Sequence, residues 1–439
     1  MEKTIEIKST DRETVLLVGV CLDRFADPTS QESLDELAQL CETAGAVVEA
    51  SLVCRISRPN AGTLIGEGKA NEIGAMVKER GIATVVFDEE LTPAQGRNLE
   101  KIFGTKVVDR TQVILDIFAQ HARTSEGRLQ IELAQLEYLL PRLRRMWTHL
   151  ERQKGGIGMH GPGEKQLEMD RRRIVEDIQR HRRRLNEVQK RRSEQRRGRR
   201  RHGWALISLV GYTNAGKSTL INALTQAGVL AYDKLFATLD PTTRQLKLPN
   251  HQLALLTDTV GFIRKLPHHL VESFKATLEE VVEADLLVHV IDTAHPQVFH
   301  HIDAVHQVLG ELGVHDKTIV PVFNKIDDPQ SAVNLPGLRA RFPGSVEISA
   351  RRGDGLDALR IHLADLLRRR RERQRLRIPL QEGKLLAMLK TSASIYATDY
   401  EEESVIIEAA VPVTMNGIFA AYRMDSLPVS PDEENARDA

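Results

Sequence analysis

The string Gly211-Tyr212-Thr213-Asn214-Ala215-Gly216-Lys217-Ser218 constrains this chain more than any other feature. It follows the apolar run Trp204–Val210 and precedes Thr219–Thr225, which has the pattern of the first turns of a helix. A strand, a glycine-bearing loop and a helix in that order make a phosphate-binding unit on a parallel α/β sheet. The glycines let successive backbone N–H groups curl around a β-phosphate, at a helix N-terminus that already favours anions. In this pattern Lys217 reaches the β and γ phosphates, the Ser218 hydroxyl ligates Mg²⁺, and Thr219 completes the phosphate-binding set.

Asn324-Lys325-Ile326-Asp327 indicates which base is bound. It follows the apolar run Thr318–Phe323, at the carboxyl end of an expected parallel strand, where open α/β sheets bind ligands. An aspartate there accepts two hydrogen bonds from guanine N1–H and the exocyclic N2 amine. Adenine offers no such donor pair, and an unpaired buried carboxylate is costly. Ser349-Ala350-Arg351 is expected to finish the guanine pocket. Between these strings lies Asp258-Thr259-Val260-Gly261, after the strand pattern Gln252–Thr257. The aspartate can hold Mg²⁺ through water, and the Gly261 N–H can contact the γ-phosphate. Four such strings in this order, each after a strand, imply a GTP-binding domain.

Composition sets the bounds. At 439 residues the chain is long enough for two to four domains with their own cores. Lysine plus arginine and aspartate plus glutamate each total 61, so no global field draws the chain to nucleic acid. Cys21, Cys41 and Cys54 lie far apart without C-x-x-C spacing, which argues against a disulfide framework or zinc site. No signal peptide and no membrane-spanning apolar run are apparent, so a soluble cytoplasmic protein is expected.

Before about residue 123, strand patterns at Val15–Val20, Val47–Val53, Thr84–Phe87 and Lys106–Val108 alternate with helical patterns at Glu32–Leu40, Lys69–Val77 and Pro93–Ile102. Alternation of this kind predicts a parallel sheet with helices against it. Gly62 to Ala70 resembles a second phosphate loop, which would bind ATP. Its spacing is one residue too long, and Ala70 stands where a metal-ligating hydroxyl is wanted. A plain glycine-rich loop before a helix is therefore preferred.

Leu129, Leu133, Leu136, Leu140, Leu143, Trp147 and Leu150 form a heptad seam. A second helix after Gly163 carries Leu167, Ile174, Ile178, Leu185 and Val188 on one face. Together they predict an antiparallel helical hairpin, with a kink at Pro141. The connection, residues 151–163, is longer than two antiparallel helices need and holds five glycines between Gly155 and Gly163. Arg152, Lys154 and Lys165 flank it. The second helix holds Arg171-Arg172-Arg173, Arg180, Arg182-Arg183-Arg184, Lys190-Arg191-Arg192 and further arginines to Arg201. Arginine at that density favours phosphate contacts. With aromatics at 4% and none on the basic helix, phosphate and shape recognition of RNA fit better than base stacking.

With these pieces in this order the chain closely resembles the HflX family of GTPases. The marks are Arg152–Gly158, Gly161–Glu164, Gln166–Glu168, Gly211–Ser218, Phe236–Pro241 and Asp258–Phe262. The resemblance implies a ribosome-associated factor that binds the large subunit and its rRNA through the helical linker. It further implies a linker loop near the peptidyl-transferase centre and separation of stalled or idle ribosomes into subunits. Lys165 departs from the small polar residue usual in the family. The resemblance also assigns the first switch, Phe236-Ala237-Thr238-Leu239-Asp240, with Thr238 approaching Mg²⁺ and the γ-phosphate.

Lys217, Thr238, Asp258, Gly261 and Phe262 are the expected catalytic set for conversion of GTP and water to GDP and phosphate, with Ser218 and Thr238 as metal ligands. Many GTPases carry a water-orienting glutamine where this chain has Phe262. The rate alone should then be on the order of 10⁻³ s⁻¹ or below, with a partner supplying about 10³–10⁵-fold. The ribosome is the expected partner. Asn214 matches the asparagine of potassium-dependent GTPases, so K⁺ is a further expected cofactor.

Asp357–Leu367 closes the GTPase domain, and Arg368–Arg377 adds a second basic stretch. The expected domains are 1–123, N-terminal α/β; 124–203, helical hairpin linker; 204–370, P-loop GTPase with a mostly parallel sheet; and 378–428, small α+β, before a polar tail over 429–439. Nothing demands a dimer, and a monomer is expected. Two other readings share the GTPase core: a GTP-timed assembly factor for the large subunit, and a regulatory switch on a membrane protease without an RNA role. The second needs neither the basic helix nor the glycine-rich loop.

Overall fold

The computed structural model describes residues 13–22, 29–143, 162–201, 204–225, 235–236, 242–249, 252–265, 275–369, 371–412 and 415–424. The chain divides into two compact units. One comprises Met1–Asn186, Ala231–Asp240 and Val260–Leu278; the other comprises Glu187–Leu230, Pro241–Thr259 and Glu279–Ala439.

The first unit is built on strands β1 (Thr14–Leu22), β2 (Val47–Ile56), β3 (Thr84–Phe87) and β4 (Lys106–Asp109), all parallel in the order β2-β1-β3-β4. Strand β3 is Thr-Val-Val-Phe and wholly buried, as expected of a parallel strand covered on both faces. Helices α1 (Thr29–Thr43), α2 (Glu67–Arg80) and α3 (Pro93–Phe103) provide the crossovers. Thr92 and Gln95 form a capping box with Pro93 in the first turn of α3, so its start is specified locally. Leu16, Val18, Val85, Phe87, Ile73 and Phe103 share one core. Helix α4 (Arg110–His121) has no counterpart in the sequence reading; the Asp109 side chain accepts from Gln112 N and caps it.

Helices α5 (Ser125–Leu143) and α6 (Pro162–Arg201) follow. Leu133, Ile178 and Leu185 pack together, with Leu129, Leu136, Leu140 and Ile174 against them, so the two heptad faces meet. Glu132 meets His181 at 2.9 Å and Glu137 meets Arg182 at 2.7 Å. Arg182, read from sequence as part of a nucleic-acid-binding cluster, thus also ties the two helices together. Trp147, Leu150 and the connection up to Gly161 lie outside the described residues, as do the side chains of Gly163, Lys165 and Leu167.

In the second unit, strands β5 (Ala205–Val210), β6 (Thr242–Lys247), β7 (Leu253–Asp258), β8 (Leu286–Asp292), β9 (Ile319–Asn324) and β10 (Val346–Glu347) lie in the order β10-β9-β8-β5-β7-β6. Only β6 is antiparallel to its neighbour. The helices are α7 (Lys217–Thr225), α8 (Lys275–Glu283, whose first residues belong to the other unit), α9 (Val298–Glu311), α10 (Ser331–Arg341) and α11 (Leu356–Arg369). A three-stranded antiparallel sheet follows: β11 (Arg371–Pro379), β12 (Ser394–Tyr400) and β13 (Ser404–Pro412) in the order β11-β13-β12, with helix α12 (Gly383–Ser392). Residues 371–377, seven of the ten in the second basic stretch, are therefore strand. Leu376 and Ile378 of β11 are fully buried between exposed arginines at 373, 375 and 377, a period of two that the arginine density obscured.

Candidate nucleotide site

Strand β5 pairs with β7 on one side and β8 on the other, setting Leu209 against Asp258 and Val210 against His289. The phosphate-binding loop leaves its carboxyl end, and two of its glycines are sterically obligatory. Gly211 has φ 152° and a Cβ there would lie 2.4 Å from Val290 O. Gly216 has φ 94°, and its Cβ would lie 2.3 Å from Asn324 Nδ2. Asn214, exposed at the tip, holds φ 59°. Tyr212, Thr213 and Ala215 are buried in the body of the loop, while Ser218 and Thr219, at the start of α7, are half-buried.

Lys217 is buried, and its ammonium donates to the carbonyls of Tyr212 at 2.8 Å and Gly211 at 3.2 Å. Burial pulls its pKa down to about 8, opposed by the nearby Asp258 carboxylate. The Ser218 hydroxyl donates to Asp258 Oδ2 at 2.7 Å. A hydroxyl and a carboxylate side by side are the hard oxygen donors that Mg²⁺ takes in phosphate sites, so these residues fit the ion.

Asn324 joins the loop to the base side. Its Nδ2 donates to Ala215 O at 2.8 Å, and its Oδ1 accepts from Ala350 N at 3.0 Å. Lys325 has φ 64° and pairs with Asp292 at 2.6 Å. Ile326 N donates to Ile348 O at 3.3 Å, bringing the two base-side strings into register. Asp327 is held below the usual carboxylate range, first by a hydrogen bond from Ser349 and then by its own backbone and the guanidinium groups of Arg352 and Arg351. Ser349 is fully buried and Arg351 exposed.

Thr259 is buried, its hydroxyl donating to Leu209 O at 2.6 Å. Val260, Gly261 and Phe262 are buried. Phe236, with φ 55°, packs edge-on against Phe118 of α4 with centroids 4.6 Å apart. Ala237, Thr238, Leu239 and Asp240 lie outside the described residues. In the N-terminal unit, Asn60 Oδ1 accepts from the amides of Gly62 at 2.7 Å and Thr63 at 3.2 Å, and Ala70 is fully buried. The loop amides nearest the sequence's second glycine string are thus already bonded within the protein.

Three family models match in succession: GTP-binding GTPase N-terminal over residues 31–119, GTP-binding GTPase Middle Region over 121–199, and 50S ribosome-binding GTPase over 206–325. The chain is 45% identical over 412 residues to the GTPase HflX of Lacrimispora saccharolytica, covering 94% of this chain and 96% of that one. This chain belongs to the HflX family of GTPases. A second HflX relative, from Escherichia coli (strain K12), is 46% identical over 395 residues, 89% of this chain and 92% of its own. The solved SsGBP–GDP complex aligns over 81% of this chain and 98% of its own at 25% identity, with a TM-score of 0.46. As an HflX GTPase the chain binds and hydrolyses GTP. No helix among the described residues is long and apolar enough to cross a membrane.

Several parts of this HflX site escaped the sequence reading. Gly355 has φ 72°, and a Cβ there would lie 2.1 Å from Glu347 O; the Gly353-Asp354-Gly355 string was the available signal. Asp292, the partner of Lys325, ends strand β8 and was visible as an acid closing an apolar run. The Tyr212 ring stacks on His301 of α9 at 3.7 Å, and His295 lies 4.1 Å from the same imidazole. Buried His289 is pushed down to about 3 by burial, with His306 and Lys217 adding to the shift, so it stays neutral. Nothing in the spacing of these histidines signals their convergence.

Proposed function

We propose that this HflX GTPase binds the large ribosomal subunit through the α5–α6 linker and separates stalled or idle ribosomes into subunits. The observation that carries the reading is the match of residues 206–325 to the 50S ribosome-binding GTPase family, joined in one chain to the arginine-rich helix α6. Along α6 the side chains of Arg172, Arg173, Arg180, Arg183, Arg184 and Arg191 are exposed, which suits rRNA phosphates. The protein acts as a cytoplasmic monomer in this reading.

In the nucleotide site the loop amides and Lys217 hold the phosphates, and Asp327 accepts from guanine, kept ionised by Ser349. Asn324 contributes by bracing: one carboxamide fixes both the phosphate loop and the Ala350 amide. Ser218, Asp258 and Thr238 are the residues that would hold Mg²⁺, which when bound offsets charge on the phosphate oxygens. Gly261 N–H meets the γ-phosphate. Water attacks the γ-phosphorus, the bond to the β-phosphate bridging oxygen breaks, and GDP leaves with the electron pair. The Phe262 side chain has no polar atom to orient that water, so the ribosome supplies the missing positioning; Asn214 would hold K⁺, which when bound would offset charge there.

The test is GTP turnover with and without purified large subunits in potassium buffer. We expect a rate alone on the order of 10⁻³ s⁻¹ or below and a stimulation of about 10³-fold or more by the subunit. Deleting residues 155–163 should abolish the stimulation and leave GTP binding intact. Rapid turnover without ribosomes, or no response to the subunit, would overturn the reading.

A further inference from the structure

Tyr212 is the second residue of the phosphate loop, and its side chain turns away from the loop onto helix α9. It is 5% exposed, and its ring lies on that of His301 with centroids 3.7 Å apart and planes 3° from parallel. His295, in the turn between β8 and α9, lies against the same imidazole at 4.1 Å with a tilt of 36°. The main chain of Tyr212 does something different. Its carbonyl accepts from the Lys217 ammonium at 2.8 Å and from Ala215 N at 3.3 Å.

Gly211, one residue earlier, lacks the Cβ that would restrict the chain. Local geometry therefore does not fix how the peptide after Tyr212 is turned; a held ring does. Rings this close and this parallel share most of a face, and the tyrosine cannot change its side-chain torsions without giving up the contact. The far end of the ring column is itself fixed. His301 N donates to Gln297 O at 3.0 Å, and His295 Nδ1 accepts from Gln297 N at 3.1 Å. Asn334 of α10 donates to Thr293 O at 2.9 Å and to His295 O at 3.1 Å. Thr293 in turn donates to Asn324 O, through its hydroxyl at 2.7 Å and its amide at 3.1 Å.

We propose that the rings of Tyr212, His301 and His295 are a second brace of the nucleotide site: they keep the Tyr212 carbonyl turned to Lys217, which makes Tyr212 and His301 positioning residues for phosphate binding. This rests on the reading of Lys217 as a phosphate contact. The Asn324 carboxamide holds Ala215, in the second half of the loop, and the ring column holds the first half. Both braces end on Asn324, one at its carboxamide and the other, through Thr293, at its carbonyl. The β-phosphate is common to both nucleotides, so the brace acts on GDP and GTP alike.

The experiment measures equilibrium affinity of the full chain for GDP and for a non-hydrolysable GTP analogue. His301→Ala should weaken both by about threefold to tenfold, the worth of one aromatic pair. His301→Phe, which keeps a ring face, should bind as the wild type does. Once the stack is lost it cannot be lost twice, so Tyr212→Ala with His301→Ala should bind no more weakly than Tyr212→Ala alone. Unchanged affinity in His301→Ala overturns the proposal, as do a loss that His301→Phe shares and losses that simply add. Lys217→Ala is the control and the second background. In it His301→Ala should cost nothing further, because no ammonium remains to be placed; a further loss would mark a merely structural role. GDP affinity unchanged in Lys217→Ala would remove the premise, whereas a weak Lys217→Ala beside an unchanged His301→Ala would strike the brace alone.

Discussion

Lys217 is where burial and function pull hardest on one residue. Desolvation lowers its pKa to about 8, while triphosphate oxygens brought against the ammonium raise it. The direction of the pH effect follows. Below about pH 8 the lysine is charged with or without nucleotide, and affinity is flat with respect to it. Between that value and the raised pKa of the complex, binding takes up a proton and affinity falls as pH rises, by up to about tenfold per unit. Calorimetry at pH 8.5 in two buffers of different ionisation heat should register net proton uptake; identical heats would refute the assignment. Asp327 behaves oppositely. Its Ser349 hydrogen bond keeps it ionised to lower pH than an ordinary carboxylate, so base recognition persists into acid.

At the scale of elements, the α5–α6 pairing depends on few side chains. Leu133, Ile178 and Leu185 form a small cluster, and its other members are only partly buried. Truncating Leu133 to alanine should cost about 2 kcal/mol, the lower end for a buried leucine, because part of the space opens to solvent. The Arg182–Glu137 pair beside it has an exposed arginine and should be worth about 0–1 kcal/mol. Hydrogen exchange of the Ser125–Leu143 amides is the direct readout. Leu133→Ala should accelerate it clearly and Arg182→Ala barely, with GTP affinity unchanged in both. The reverse ranking would mean that charge, not the leucine seam, holds the hairpin.

For the whole molecule, net charge is zero, yet the proposed ribosome contact is electrostatic. Charge placement resolves this: α6 carries 16 lysines and arginines against seven acids, and that excess is offset by acids in the rest of the chain. Binding to large subunits should therefore depend steeply on salt despite the neutral total. If roughly six to ten phosphates are met, affinity should drop about 10³–10⁵-fold between roughly 50 and 200 mM salt. Replacing Arg172 and Arg173 together by alanine should flatten that slope. A salt-insensitive affinity would show that α6 does not touch rRNA.

What the sequence determined by itself was local. A phosphate loop is legible because its glycines answer to backbone angles and close approaches that only glycine tolerates, and those demands fall within eight consecutive residues. The leucine seam is legible because helical spacing repeats along one segment. The tertiary structure alone decided the contacts that cross the chain. Asn324 links Ala215 to Ala350, Lys265 reaches Asp88 across 177 positions, and Tyr212 finds His301. Each depends on strand order, register and crossover, which no short window encodes. Helix α4 and strand β11 were missed for a related reason: one announces itself through a single aspartate cap, the other through two buried residues set among arginines. Local conformation is written in neighbouring residues, whereas partner choice is settled only when separate segments compete for the same buried space.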